Sequence, residues 1–298
     1  MVKTWSTTPR GEQTERVRCA LCGGRDPAPF LACGGTAERP GDGFAFVRCR
    51  ACRLVYQDPR PAFEDLRRRY GPDYFSYELA NEKNFFDLMR LGLADIAFDR
   101  VAECFAGSRT FLDIGCATGM LAEWMQGRGW EARGVDVCRE SAEYGQRVRG
   151  VDIHVGTLEE ARFPDAAFSA VHFSHLIEHV PDPRGFLLEV RRILRDDGRA
   201  VVTTPNIGGF QAWLFGPGWG SAIADHVVLF SKATLGRLLA ETGFTVERLV
   251  TWGGLAAGTA PGWLKRPMDR MAKRWGFGDV MLFLVRKCQG SAGRICPG

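Results

Sequence analysis

Phe111-Leu112-Asp113-Ile114-Gly115-Cys116-Ala117-Thr118-Gly119 is the stretch on which the fold turns. Three of its first four residues are apolar and predict a short buried strand. Two glycines follow, and apolar positions at Leu121, Trp124 and Met125 then set up a helix. Glycine allows a sharp turn and a close approach of backbone to a ligand, and the start of a helix offers unpaired N–H groups. About twenty residues later, Gly134-Val135-Asp136 ends a second apolar run on an acidic side chain, which is where a carboxylate accepts hydrogen bonds from both hydroxyls of a ribose.

Outward from this stretch, short apolar runs alternate with longer helical ones from Thr110 onward, the pattern of βαβ units. Strands are expected at 110–114, 131–135, 153–155, 170–173 and 200–204, and two late ones at 244–251 and 280–286 lie close enough to pair as an antiparallel edge. The expected fold class is α/β, a Rossmann-like and mostly parallel sheet with an antiparallel edge pair, covering 109–288. A helical linker or lid region is expected at 61–108, with a long amphipathic helix over 82–105. Residues 1–60 are expected to form a metal-stapled module and 289–298 a flexible tail.

The residues already quoted carry a family resemblance. Leu112-Asp113-Ile114-Gly115-Cys116-Ala117-Thr118-Gly119 resembles the first motif of class I S-adenosylmethionine-dependent methyltransferases. Three further stretches follow in that family's order: Gly156-Thr157-Leu158-Glu159 ahead of Phe163-Pro164-Asp165, then 168–180, then 194–199 with a strand running to Pro205-Asn206. The resemblance implies an S-adenosylmethionine site with Asp113, Gly115, Cys116 and Gly119 near the methionine part and Asp136 on the ribose. Thr157 and Leu158 would lie against the adenine, and Ser174 ends the fourth strand in the same site. Ala117 stands where many members carry a second glycine, and Ser169 where an aspartate is common. A nicotinamide dehydrogenase would instead want Gly-x-Gly-x-x-Gly.

Ten cysteines are present, and four of them form Cys19-Ala20-Leu21-Cys22 and Cys49-Arg50-Ala51-Cys52, two Cys-x-x-Cys pairs with 26 residues between. Two such pairs set four thiolates around one ion at ~2.3 Å, a closed tetrahedral site of the structural zinc type. An iron–sulfur centre shares the soft ligands, but a compact Gly-rich ribbon favours zinc, and a redox dithiol would want a βαβ context. Cys33, Cys288 and Cys296 are left unassigned. With Leu54 to Pro61 and Tyr70 to Phe75 following, the whole order resembles bacterial zinc-knuckle methyltransferases that act on sugars, lipids or secondary metabolites.

Methyl transfer needs alignment of donor and acceptor and, for many acceptors, a base. His226, after a loop containing Trp213, Phe215 and Trp219, is expected to be the base or an acceptor-binding group; capping the helix near Lys232 is the plainer role. His175, after the fourth strand, is the second candidate. Glu178 and His179 match the family's Leu-Glu-His pattern. His175-Leu176-Ile177-Glu178-His179 also spells the inverted zinc-protease signature, which needs a continuous helix that Pro181 and Pro183 discourage. His154 and His172 read as ordinary strand histidines. The aromatic, basic stretch 261–275 is expected to pack as an edge helix, to cover the acceptor, or to touch an anionic lipid surface.

Hydrophobic content of 45% and charged content of 25% fit an ordinary globular chain of 298 residues. The formal charge of +4 and pI near 8.6 are too mild to point to nucleic acid. The expected partner is a small-molecule acceptor. An RNA methyltransferase gripping through the Arg-rich cysteine module, or a non-catalytic zinc protein that binds the cofactor, are the rival readings. No run reaches the ~18 apolar residues of a membrane span, and Met1 to Trp5 lacks the apolar core of a signal peptide, so a cytoplasmic location is expected.

Overall fold

The computed structural model describes residues 12–33, 43–105, 107, 109–254 and 262–288, the last segment as backbone alone up to residue 266. Cys296 and the expected tail 289–298 lie outside the described residues.

Seven strands form the central sheet: β1 Thr110–Ile114, β2 Glu131–Asp136, β3 Asp152–Val155, β4 Phe168–Ser174, β5 Leu194–Pro205, β6 Phe244–Trp252 and β7 Val280–Lys287. Their spatial order is β6-β7-β5-β4-β1-β2-β3. Pairing is parallel from β5 through β3, while β7 runs antiparallel to both β5 and β6. All seven expected strands form. The reversed strand inserts between β5 and β6, so β6 takes the edge. This is the Rossmann-like sheet, mostly parallel with antiparallel edge strands, that the apolar runs imply.

A parallel sheet covered on both faces needs strands that are apolar at every position. In β1, Phe111 packs into one cluster with Ala170, Val201 and Leu282, while Leu112 packs into another with Val171, Val202 and Phe283. Successive side chains point to opposite faces, so adjacent residues of four strands serve two separate cores. After β3 the chain returns to lay β4 on the other side of β1. That reversal opens a crevice beyond the carboxyl ends of β1 and β4, where ligands of open α/β sheets gather.

The longer helices are α1 Pro72–Asp95, α2 Met120–Gln126, α3 Arg139–Arg149, α4 Pro183–Ile193, α5 Lys232–Glu241 and α6 Gly262–Trp275. The helix expected over 82–105 begins ten residues earlier, because Pro72 suits a first helical turn. It ends at Asp95, whose carboxylate accepts from Trp252 Nε1 at 2.5 Å and pairs with Lys273 at 2.6 Å. Ala97 then turns left-handed at φ +52°, ahead of a short separate helix, Phe98–Ala102. α6 packs on β6, with Ala272 fully buried and its carbonyl accepting from Thr251 Oγ1 at 2.9 Å. Among the described residues, no helix is long and apolar enough to cross a membrane.

The cysteine-bearing segment forms an antiparallel sheet from Pro27–Cys33, Phe44–Cys49 and Val55–Gln57, and its fourth strand is Val228–Leu229 from far along the chain. Cys19, Leu21, Cys49, Leu54 and Tyr56 bury into the same cluster as Leu112, Phe173 and Phe230. The expected boundary at residue 60 therefore marks a change in sequence character and cuts through a shared core.

Candidate active site

The donor side of the crevice is built from strand ends. Gly115 N and Cys116 N both donate to Val135 O, at 2.8 and 3.2 Å, which pins the glycine loop to β2. Gly115, Ala117 and Gly119 all adopt positive φ, at +70°, +47° and +76°. Ala117 thus occupies a left-handed position that costs a non-glycine residue about 1–2 kcal/mol, which is the physical reason glycine is common there. Asp136 supports that turn: its Oδ2 accepts from Ala117 N at 2.7 Å and its Oδ1 from Cys138 N at 2.8 Å. Burial pushes the Asp136 carboxyl up to about 6, against the pull of those two N–H groups, and Asp113 nearby adds to the rise.

Asp113 and His172 are register partners on β1 and β4, and His172 Nδ1 lies 2.7 Å from Asp113 Oδ1, both side chains being buried. His172 is therefore more than the ordinary strand histidine that its position in the sequence implied. Thr157 spends its hydroxyl on a capping box with Glu160, so Leu158 beside it supplies the flat apolar wall. Cys116 is buried, and a Cβ at Gly134 would collide with its sulfur. Burial pushes the Cys116 thiol well up, so it packs as a neutral group. Ser174 also lines the crevice. Ser169 only ties the start of β4 to β1, its N–H donating to Thr110 Oγ1 at 2.9 Å. From above, α1 closes on the loop, with Thr118 Oγ1 donating to Glu82 at 3.0 Å and Arg149 holding that carboxylate at 2.8 Å.

The acceptor side is built from residues scattered along the chain. His175 turns out of β4 at φ +52° with its N–H on Thr203 O at 2.8 Å, and its side chain is 49% exposed in the crevice. Its Nδ1 is 3.3 Å from Glu178 Oε1. Glu178 is fully buried in a single 3₁₀ turn, Ile177–His179, and its Oε2 accepts from Thr204 Oγ1 at 2.8 Å. Burial alone would raise the Glu178 carboxyl, but the His175, His226 and His179 rings around it hold it down at about 2. One 3₁₀ turn is not the continuous helix a zinc-protease site requires.

His226 sits one layer behind the crevice wall, 6% exposed, with its ring edge-on to His179 at 4.6 Å. Its Nδ1 is 2.7 Å from Ser221 O, and burial, then the neighbouring His179, lowers it to about 3, so it is a neutral imidazole. It does not cap the following helix; Ser231 does. His179 Nδ1 lies 3.0 Å from both Tyr70 Oη and Asp225 O. Two groups that were not among the candidate site residues, Gln57 and Arg69, hold this wall. Gln57, 1% exposed, donates through Nε2 to Ala224 O at 2.9 Å and His226 O at 2.8 Å, while its N–H donates to Val227 O at 2.9 Å. Arg69 pairs with Asp225 and, at 2.6 Å, with Glu12.

Both sides open into one cleft of about 1550 Å³, whose apolar lining includes Phe85, Leu88 and Met89 of α1 and Trp252 of β6. A single drug-sized ligand fills roughly 300–1,000 Å³, so there is room here for a donor and an acceptor together. The donor side fits an adenosyl sulfonium. Asp136 retains lone pairs for ribose hydroxyls after its two backbone bonds, Leu158 adds an apolar side chain to the lining, and Asp113, Asp136 and Glu78 line the same cleft with carboxyl groups, which suits a cationic ligand. Burial pushes Glu78 up to about 7, with Tyr74 opposing the rise.

Away from the cleft, the four cysteines converge as expected: Cys19 and Cys52 sulfurs are 3.3 Å apart, Cys22 and Cys49 3.5 Å, and all four lie within 4.8 Å of one another. Gly23 and Arg53 take positive φ after each pair, folding two like turns, and their N–H groups donate back to Cys19 O at 2.8 Å and Cys49 O at 3.0 Å. Four convergent soft donors, two buried, one half-buried and Cys22 exposed, are compatible with a zinc module. Cys33, between the pairs, packs with Phe46 and Val55 in a separate apolar cluster.

Comparison with known proteins agrees with this geometry. Residues 87–249 match the family model described as a methyltransferase domain. A ubiquinone biosynthesis O-methyltransferase of Alkalilimnicola ehrlichii is 32% identical over 120 residues, 37% of this chain and 48% of that protein. A probable S-adenosylmethionine-dependent methyltransferase of Mycolicibacterium smegmatis is 32% identical over 155 residues, 51% of this chain and 58% of that protein. The chain thus spans about half the length of the curated relatives it matches. In structure, a methyltransferase from Archaeoglobus fulgidus superposes with a TM-score of 0.51 at 21% identity, over 71% of this chain and 99% of that one, which speaks for the fold. With the glycine loop, the β2 carboxylate and the sheet order all in place, the chain belongs to the methyltransferase-domain family.

Proposed function

We propose that this enzyme methylates a hydroxyl oxygen of a small acceptor with an apolar body. The observation that carries the reading is the cleft wall where His175, backed by buried Glu178, faces the apolar side of α1 next to the donor loop. The names of the relatives in ubiquinone biosynthesis, O-methyltransferases of a small molecule, support the same chemistry.

When bound, S-adenosylmethionine supplies a methyl group on a sulfonium, which an acceptor oxygen takes by in-line displacement as the carbon–sulfur bond breaks. Asp113 and Asp136 position the donor, with the glycine loop beneath it. His175 removes the acceptor's proton, and Glu178 stabilises the imidazolium that results. His226, placed behind His179, orients this wall through its backbone and ring. The apolar residues of α1 take the acceptor's body and exclude water. The cysteine cluster holds a structural zinc that sets the shape of the two cysteine turns and the strands beside them and, through Gln57, of the segment bearing His226. A cytoplasmic location accords with paired cysteines used as metal ligands.

The test offers paired acceptors that differ only in carrying a phenolic hydroxyl, an amine or neither, and reads products by mass spectrometry. Methyl ether formation with the hydroxyl compounds alone is expected. Transfer to the amine alone would overturn the reading.

A further inference from the structure

From the cluster formed by Glu178, His179 and His226, we infer a second metal site, distinct from the cysteine cluster, that takes a divalent transition ion at the acceptor wall of the cleft. The ligand atoms of these three residues lie within 4.8 Å of one another. One carboxylate and two imidazoles with open positions form a donor set suited to Mn²⁺, Fe²⁺, Co²⁺ or Zn²⁺.

The hydrogen bonds around the cluster identify which atoms remain for an ion. Ser221 O, 2.7 Å from His226 Nδ1, is a carbonyl and accepts only, so His226 carries its proton on Nδ1. His179 Nδ1 lies 3.0 Å from both Asp225 O and Tyr70 Oη, and the tautomer that gives Nδ1–H to the carbonyl is the one that frees Nε2. In a neutral ring the other nitrogen is then a bare lone pair. Nδ1–H given to a backbone carbonyl, leaving Nε2 open, is the arrangement found behind metal-bound histidines, where it fixes both tautomer and ring direction. Glu178 is 0% exposed; its Oε2 takes the Thr204 hydroxyl, while its Oε1 lies 3.3 Å from His175 Nδ1 and takes no hydrogen bond from within the cluster. An oxygen of a buried carboxylate and two ring nitrogens that converge without a proton among them repel one another. A cation held between them removes that repulsion. The way in is through the cleft, which His179 and His175 line.

Through an open position, an ion held there would bind the acceptor's hydroxyl oxygen and lower the pKa of that group. This last role rests on the hydroxyl-methylating reading above; the site itself does not. It also gives the chain two metal positions separated by ligand softness, thiolates at one and imidazole with carboxylate at the other.

The test titrates Mn²⁺ into full-length protein whose cysteine cluster is saturated with zinc, with no acceptor present, and follows it by electron paramagnetic resonance. One bound Mn²⁺ per chain with nitrogen couplings from two imidazoles is expected, displaced by Co²⁺. His226→Ala and Glu178→Gln should each weaken binding by at least about 10-fold, while S-adenosylhomocysteine affinity, the check on folding, stays unchanged. Absence of a bound Mn²⁺ signal in the unaltered protein, or equal binding by both variants, would overturn the site. Mn²⁺ binding alongside failure to methylate any hydroxyl would sink the acceptor reading alone.

Discussion

The two walls of the cleft are made in different ways. The donor wall comes from consecutive strand ends within 113–174, held by bonds between near neighbours such as Ala117 N to Asp136. The acceptor wall gathers Tyr70, His175, Glu178, His179 and His226, and is tied down by Gln57 and Arg69 from the N-terminal segment. A donor common to a whole family is met by local, repeatable geometry. The acceptor side depends on long-range contacts, and a change in the cysteine-bearing segment therefore reaches it first.

The largest expected effect comes from removing the staple of that segment. Cys19→Ser with Cys22→Ser should cut methyl transfer by more than about 100-fold, since a structural metal site carries the fold of its own segment. Calorimetry with S-adenosylhomocysteine should find donor affinity within about 3-fold of the unaltered enzyme; an equal loss there would erase the distinction between the walls. Next, His175→Ala should lower kcat by about 10²–10⁴-fold, the usual share of a general base, with donor affinity retained. Loss of donor binding in that variant would move His175 to the other wall.

The reverse experiment is Asp136→Asn, which removes a charge that takes two backbone bonds and awaits two more. Donor affinity should fall by about 100-fold, at roughly 1.5–3 kcal/mol for each charged hydrogen bond, as read by calorimetry. A smaller effect, about 10-fold in kcat, is expected for Gln57→Leu, which frees the carbonyls of 224 and 226 without touching the cleft. The mildest is a pH effect. The Asp136 carboxyl is raised to about 6, so it takes up a proton as pH falls through that value and gives up part of its capacity as an acceptor. Donor affinity should decline below about pH 6, and Asp136→Asn should flatten the profile. In the free protein the sign for stability is opposite: a native-state rise from 3.8 means that ionisation carries a cost, which sets in above 3.8 and is complete above about 6.

Much of the donor wall was legible residue by residue. Asp113, Gly115, Cys116, Asp136, Thr157, Leu158 and Ser174 line the cleft at the carboxyl ends of β1 to β4, because strand, turn and helix start follow one another directly in sequence, whereas Gly119 caps α2 facing Ile153 and Val151. Within that set the side chains divide their tasks unexpectedly, Thr157 being spent on a helix cap and Cys116 on packing. His172 was passed over because nothing local marks it; its partner Asp113 is a register neighbour 59 positions away. The helix expected over 82–105 was placed late because its apolar face is broken by polar residues, while its true start is a proline.

The acceptor wall was legible only as a list of histidines. Which of them faces the cleft depends on β4 ending with His175 in a left-handed turn and on residues 228–229 joining the sheet of the cysteine-bearing segment.

By itself the sequence determined the α/β class, the donor loop and the cysteine pairs, since each is encoded by residues at fixed short spacing. The tertiary structure alone decided that the cysteine-bearing segment shares a core and a sheet with the catalytic one, and that Glu178, His179 and His226 converge. Pairing between distant segments is set by which buried faces and backbone edges meet, and no local pattern records that choice.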